Sequence, residues 1–280
     1  MQFAVAIVSP PGYLHSEAFR EVAEALHHAL LTLGHDSVLT DRLDYDDRHT
    51  IVLGSNLLAR YGLEPPTNAI LYNLEQVYES SPWMTPPLLA LFRRCPVWDY
   101  SQANIERLAA WHVPRLAHVP VGYVPELTRI AAVPEDIDVL FYGSNSPRRR
   151  AVLDALHARG FRVESLFGFY GAGRDAMIAR SKIVLNMHLY DAEVFEIVRV
   201  SYLLANSRAV VSERGTNPAE DADLASGIAF AAYDELVDRC VELLGDDGTR
   251  RELGQRGYQA FSARNQAIIL GEVLSSSLDR

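Results

Sequence analysis

Two cysteines in 280 residues, Cys95 and Cys240, without C-x-x-C spacing, exclude a disulfide framework and a zinc knuckle and make the reducing cytoplasm the expected setting. No apolar run is long enough to span a bilayer. The first one, residues 3–8, lacks the charged flank and small-residue cleavage site of a signal peptide, so it reads as a buried strand. Positive charge is also in short supply. With 26 Lys+Arg against 36 Asp+Glu the chain carries −10, a field that repels nucleic acid and anionic membranes, although a local basic patch can hold a small phosphate ligand. Peripheral membrane association stays open. Low-complexity tracts, repeats, a G-x-G-x-x-G fingerprint and a Walker A loop are all missing, which removes support for dinucleotide oxidoreductase and P-loop chemistry. What is present is 49% apolar residues, enough for the core of one large or two small domains.

The apolar runs punctuate the chain as an α/β protein. Strands are expected at 3–8, 36–40, 49–53, 69–74, 97–100 and 115–121. A helix is expected over 16–33, with Ser16 as its N-cap and Gly34 as its stop. The polar, proline-marked stretch 122–136 is the expected domain boundary. Beyond it the pattern restarts, with strands at 137–142, 161–167, 181–186, 209–212 and 228–230. Helices are expected at 148–159, 174–179, 195–205, 233–244, 246–264 and 266–278. Two Rossmann-like, doubly wound parallel-sheet domains, 1–130 and 131–264, are the economical arrangement, with 265–280 as a terminal helix.

Ligands of open parallel sheets bind outside the carboxyl ends of the strands, and four loops there carry chemistry. In the first, 9–16, His15 is either a general base or a cap residue. In the second, Gly143, Ser144 and Asn145 precede a helix that opens with Arg148, Arg149 and Arg150. Glycine admits close approach, helix N–H groups favour anions and arginine pairs bidentately with phosphate, which outlines a diphosphate site. The alternative is a solvated basic face. The third, 167–171, interleaves Phe167, Phe169 and Tyr170 with Gly168 and Gly171, for stacking a nucleotide base or for closing the core. The fourth runs from Asn186 and His188 into a helix with Glu196 and Arg199 one turn apart on an otherwise apolar surface. Such a carboxylate can accept ribose hydroxyls, and such an arginine can offset phosphate charge, where the plain alternative is a surface salt bridge.

In the first half Glu75 follows a strand, as an acceptor-side base or a carboxylate at a helix start. Tyr78, Trp83, Trp98 and Tyr100 are available to stack on a sugar or to pack between layers. The carboxylate clusters Asp44/Asp46/Asp47 and Asp221/Asp223 lie in polar turns and are not expected to bind metal.

The run from Val194-Phe195-Glu196 through Ala205-Asn206-Ser207-Arg208-Ala209-Val210-Val211-Ser212-Glu213, preceded by Ile183 to His188 and supported by Phe141-Tyr142-Gly143, resembles the GT-B-fold group 1 glycosyltransferases. Within them it is most similar to the CgeB-like, spore-coat-protein-like branch. The resemblance covers most of 137–264. The first half shares architecture and the stretch Ile70-Leu71-Tyr72-Asn73-Leu74-Glu75-Gln76. It implies two domains facing a cleft, with a last helix crossing back to the first. The implied activity is metal-independent sugar transfer from a UDP- or GDP-linked donor to a hydroxyl acceptor, whether glycan, lipid, protein or metabolite, of the kind used in polysaccharide biosynthesis, with no separate cofactor. By position it implies Glu196 at the ribose, Gly143, Ser144 and an arginine of 148–150 at the diphosphate, Asn186 and His188 beside the sugar, and Arg199 at the leaving phosphate. Where that family's helix carries a second glutamate this chain has Tyr202, followed by Asn206-Ser207. A tyrosine can donate to a phosphate but is no anionic acceptor at neutral pH. A catalytically silent nucleotide- or sugar-binding module is the rival reading.

Overall fold

A computed structural model describes residues 1–278. The chain divides into two compact units, Met1–Glu126 with the segment from Arg264 onward, and Leu127–Ala263. Both are parallel α/β sheets.

In the first unit β1 (Gln2–Ile7), β2 (Asp36–Thr40), β3 (His49–Leu53), β4 (Ala69–Asn73), β5 (Val97–Asp99) and β6 (Leu116–His118) form a six-stranded parallel sheet in the order β2-β1-β3-β4-β5-β6. Residues 3–8 are fully buried, which is why this strand reads as one apolar run: helices cover both faces of a parallel sheet. The helices of this half are α1 (Arg20–Thr32), α2 (Ser55–Tyr61), α3 (Pro86–Arg94) and α4 (Gln102–Ala110). Val22, Leu26, Ala29 and Leu30 put the buried stripe of α1 at helical spacing.

The start of this helix differs from the expectation. Leu14–Phe19 is a 3-10 stretch, the α-helix begins at Arg20, and Ser16 caps neither. Its hydroxyl donates to the Val8 carbonyl at 2.7 Å, because the loop after β1 folds back over the strand end and presents that acceptor first.

In the second unit β7 (Ile137–Tyr142), β8 (Val163–Leu166), β9 (Ser181–Asn186), β10 (Val210–Glu213) and β11 (Ala229–Ala231) form a parallel sheet in the order β11-β10-β9-β7-β8. Its helices are α5 (Pro147–Ala158), α6 (Gly171–Ala179), α7 (Ile197–Ala205), α8 (Leu236–Leu244) and α9 (Asp247–Ala263). Val139, Phe141, Ile183, Leu185, Val211 and Leu236 are among the residues of one core.

Residues 127–130 are tied to the end of α7. The Asn206 side-chain oxygen accepts the N–H groups of Arg129 and Ile130, both at 2.8 Å, and its amide donates to the carbonyls of Leu127 and Tyr202. The last helix, α10 (Gln266–Leu278), belongs to the first unit and packs on α1. No helix among the described residues is long and apolar enough to cross a membrane.

Candidate functional site

The carboxyl edge of the second sheet gathers four of the candidate residues. Asn186 and Ser212 are register partners at the ends of β9 and β10. The Asn186 amide donates to Ser212 Oγ at 3.0 Å and to Glu196 Oε2 at 2.9 Å, while its oxygen accepts from Arg199 Nη1 at 3.0 Å. His188 Nδ1 meets the other carboxylate oxygen, Glu196 Oε1, at 3.1 Å. Burial by itself would lower the His188 imidazole, but the bond to Glu196 and the charges of Glu196 and Glu213 outweigh it and hold it above its usual value.

The spacing predicts Glu196 and Arg199 on one helix, but the helix begins only at Ile197. Glu196 is the residue before the first turn of α7, and the two charges make no ion pair among the described residues. The fully buried carboxamide of Asn186 bridges them instead.

The three consecutive arginines part company. Successive helix positions turn by about 100°, so one face cannot present all three. Arg148 pairs through both guanidinium nitrogens with the two oxygens of buried Glu213 and stacks on the Tyr233 ring at 3.9 Å. Arg149 is 1% exposed and donates to the carbonyls of Ser144 and Met187. Burial and the neighbouring Arg199 push it down to about 10, leaving it cationic at neutral pH. Arg150 is exposed.

It is Arg199 that reaches the glycine loop. Gly143, at φ +143°, follows β7, and a Cβ at that position would stand 2.8 Å from Arg199 Nη2. Ser144 is half-buried and Asn145 exposed beside it, and the Ser146 hydroxyl caps α5 by accepting the Arg149 N–H.

Phe167 and Phe169 stand 58% and 51% exposed on the turn after β8, with Tyr170 half-buried next to them. Tyr202 lies elsewhere. Its hydroxyl donates to Asp175 at 2.8 Å and accepts from Arg129 at 3.0 Å, and the guanidinium groups of Arg174 and Arg129 lie against its ring. Burial pushes its hydroxyl up to about 12.

In the first unit Glu75 sits two residues beyond the end of β4. Asn56, on the first turn of α2, donates to its carboxyl at 3.1 Å, and burial pushes that carboxyl up to about 7. Asn73 and Asn104 donate to its backbone carbonyl, and Asp99 accepts from both amides. Sequence reading missed Asn56, Asp99 and Asn104, because buried amides and a buried carboxylate on separate elements leave no local pattern.

His15 is half-buried with its ring edge-on to Tyr13, 5.4 Å between centroids. Trp98 and Tyr100 are buried in the layers, whereas Tyr78 and Trp83 are partly exposed. Asp44 pairs with Arg42 on the surface.

No family model matches the chain. An uncharacterized protein, L140 of Acanthamoeba polyphaga mimivirus, is 29% identical over 255 residues, which cover 85% of this chain and 82% of that protein. A second uncharacterized protein of that virus is 30% identical over 159 residues, 54% of this chain but only 18% of its own length. Among solved structures, AviGT4, a glycosyltransferase involved in avilamycin A biosynthesis, superposes with TM-score 0.63 at 17% identity, covering 98% of this chain and 96% of that one. Sucrose-phosphate synthase from Thermosynechococcus elongatus gives 0.62 at 11%, covering all of both chains. The DNA-modifying β-glucosyltransferase, solved with and without its substrate uridine diphosphoglucose, gives 0.58 at 13%, again over all of both chains. The fold is GT-B. At these identities the likeness is one of architecture, two Rossmann-like parallel-sheet domains, and no family model supports the narrower CgeB-like resemblance.

Proposed function

We propose that the protein is a glycosyltransferase that moves a sugar from a nucleoside-diphosphate donor to a hydroxyl acceptor. The observation that carries this is the join of Glu196, Asn186 and Arg199 above Gly143, at the carboxyl edge of a parallel sheet in a GT-B fold. Glu196 accepts the donor's ribose hydroxyls, one on the free lone pair of each oxygen. Arg199 holds the diphosphate together with the N–H groups of Ser144 and Asn145, which Gly143 lets approach closely, and Arg148 and Arg149 build that edge from behind. Phe167 or Tyr170 takes the base, and His188 borders the sugar. Residues 131–264 form the donor part and 1–130 the acceptor part, where Glu75 accepts the proton and His15, Tyr78 and Trp83 line the acceptor. Tyr202 serves as scaffold rather than as donor contact. The uridine diphosphoglucose used by the DNA-modifying β-glucosyltransferase favours a UDP-linked donor here. Leaving-group charge is met by Arg199 and backbone N–H groups without a metal, as electrostatic catalysis allows. A cytoplasmic setting and a role in polysaccharide assembly fit this reading.

The test is a melting-temperature panel of nucleoside diphosphates and their sugars, followed by donor turnover. A ligand at 100 times its Kd stabilises by about 2.7 kcal/mol. A shift with one nucleotide that vanishes in Glu196→Ala, with release of nucleoside diphosphate by the wild type, supports the reading. Binding without release favours a silent binding module, and no shift with any nucleotide overturns the donor assignment.

A further inference from the structure

Glu75 is held by more than its neighbours in sequence. Asn73 and Asp99 are the last register partners of β4 and β5. Asp99 is fully buried; one oxygen accepts from the Asn73 amide at 2.6 Å, the other from the Ser101 N–H at 2.9 Å and the Asn104 amide at 3.0 Å. Both amides then turn to the same residue. Asn73 and Asn104 donate to the Glu75 carbonyl at 2.9 and 3.1 Å, and the Asn73 oxygen accepts the Glu75 N–H at 3.3 Å. The Asn104 oxygen accepts the Val77 N–H at 3.0 Å, pinning the next turn of the loop to α4.

Two buried amides, Asn73 and Asn104, thus hold the backbone of one glutamate and are themselves braced by buried Asp99 and Ser101, while its carboxyl projects to another buried amide, Asn56. A buried polar network of this kind adds little stability over an apolar core but fixes geometry strictly when its members are bonded. Fixing Glu75 has a chemical use. Its burial keeps the carboxyl where it exchanges a proton near neutral pH.

We propose that Asn104 is a positioning residue for Glu75, holding that carboxylate as the proton acceptor for the hydroxyl, or water, that attacks the donor sugar. This rests on the sugar-transfer reading. In the step the hydroxyl oxygen bonds to the anomeric carbon and its proton passes to Glu75. The bond from that carbon to the diphosphate breaks, and its electron pair leaves on the diphosphate oxygen. Asn104 touches none of these atoms. It acts by tying residues 75–77 to α4, so that the carboxyl stays desolvated against Asn56 and does not swing into water.

The experiment compares the full chain with Asn104→Ala, the milder Asn104→Ser, and Glu75→Gln. It reads the Glu75 carboxyl by carbon-13 NMR titration, assigned by its loss in Glu75→Gln, and nucleoside diphosphate release from UDP-glucose and GDP-mannose over pH 5–9. The expected result is a Glu75 midpoint that falls by at least one pH unit in both Asn104 variants. The rising limb of kcat should move with it, kcat at its plateau should drop at least tenfold, and donor KM should change less than twofold. A lower Tm with midpoint and limb unmoved overturns the proposal, because a merely structural asparagine would behave so. If the wild type releases no nucleoside diphosphate from either donor, the sugar-transfer reading and the base role fail together. The titration still decides separately whether Asn104 sets the carboxyl. Should Asn104→Ala not fold, Asn104→Ser decides.

Discussion

Gly143 and Arg199 are matched across the carboxyl edge of the second sheet: the guanidinium lies where a side chain at 143 would have to go, 3.3 Å from Cζ to the position of a Cβ. The same guanidinium is braced by Asn186 and lies near the rings of Tyr142 and Phe141. A cation is thus held over the loop that follows β7, whose Gly143 N–H is itself tied to the Leu166 carbonyl at 2.9 Å.

Gly143→Ala should damage ligand binding more than folding. Its φ of +143° is unfavourable for alanine and the new methyl displaces Arg199, at a cost of about 1–3 kcal/mol. Thermal unfolding should show a Tm lowered by several degrees, and the stabilisation by nucleoside diphosphate should be abolished. Retention of a full nucleotide shift would separate Arg199 from the diphosphate.

Arg199→Ala and Arg148→Ala should differ in kind. Removing Arg199 should lower kcat for donor cleavage by about 10²-fold, the loss usual for one electrostatic contact in the transition state, with Tm little changed. Removing Arg148 leaves buried Glu213 without its partner. Because Arg148 is itself partly solvated, the stability cost should be about 1–2 kcal/mol, and kcat should change less than for Arg199. Equal kinetic losses would place Arg148 at the phosphate as well.

His188 should make stability fall as pH rises. Its imidazole is held above the value of about 6.5 it has when unfolded. The contribution is therefore complete below about pH 6.5 and is lost as pH climbs through the folded value. Tm measured from pH 5 to 9 should decline more steeply in the wild type than in His188→Gln. Parallel curves would show an imidazole indifferent to Glu196.

Glu75→Gln should be a stabilising, inactivating change. Burial raises the carboxyl from 4.5 to about 7, so the wild type loses stability as pH rises through that window, on the order of 2–3 kcal/mol at full ionisation. The amide does not ionise. At pH 8 the variant should melt higher than the wild type while donor cleavage drops at least 10²-fold, and near pH 4.5 the two should melt together. A variant that is less stable at pH 8 would mean the charge is welcome where it sits.

Asn206→Ala should cost about 2–4 kcal/mol, since two backbone N–H groups lose their acceptor and the Leu127 carbonyl loses its donor. Chemical denaturation would register this in the midpoint, with nucleotide binding retained once folded.

The sheets were legible in the chain because parallel strands covered on both faces carry continuous apolar runs, and residues 3–8, 139–141 and 183–185 are such runs. The loops that carry Gly143, Asn186 and Glu196 followed from the rule that ligands bind beyond strand ends. By itself the sequence determined the architecture and the edges worth searching. Which arginine reaches the glycine loop was decided by tertiary structure, because the rotation of about 100° per residue and the presence of Glu213 at the end of β10 divert Arg148 and Arg149. The same holds for Tyr202, drawn to Asp175 and Arg129. It holds most of all for Asn56, Asn73, Asp99 and Asn104. They lie up to 48 residues apart in the chain and acquire a common purpose only where adjacent strands end side by side, since a hydrogen bond depends on a distance in space and leaves no period in the sequence.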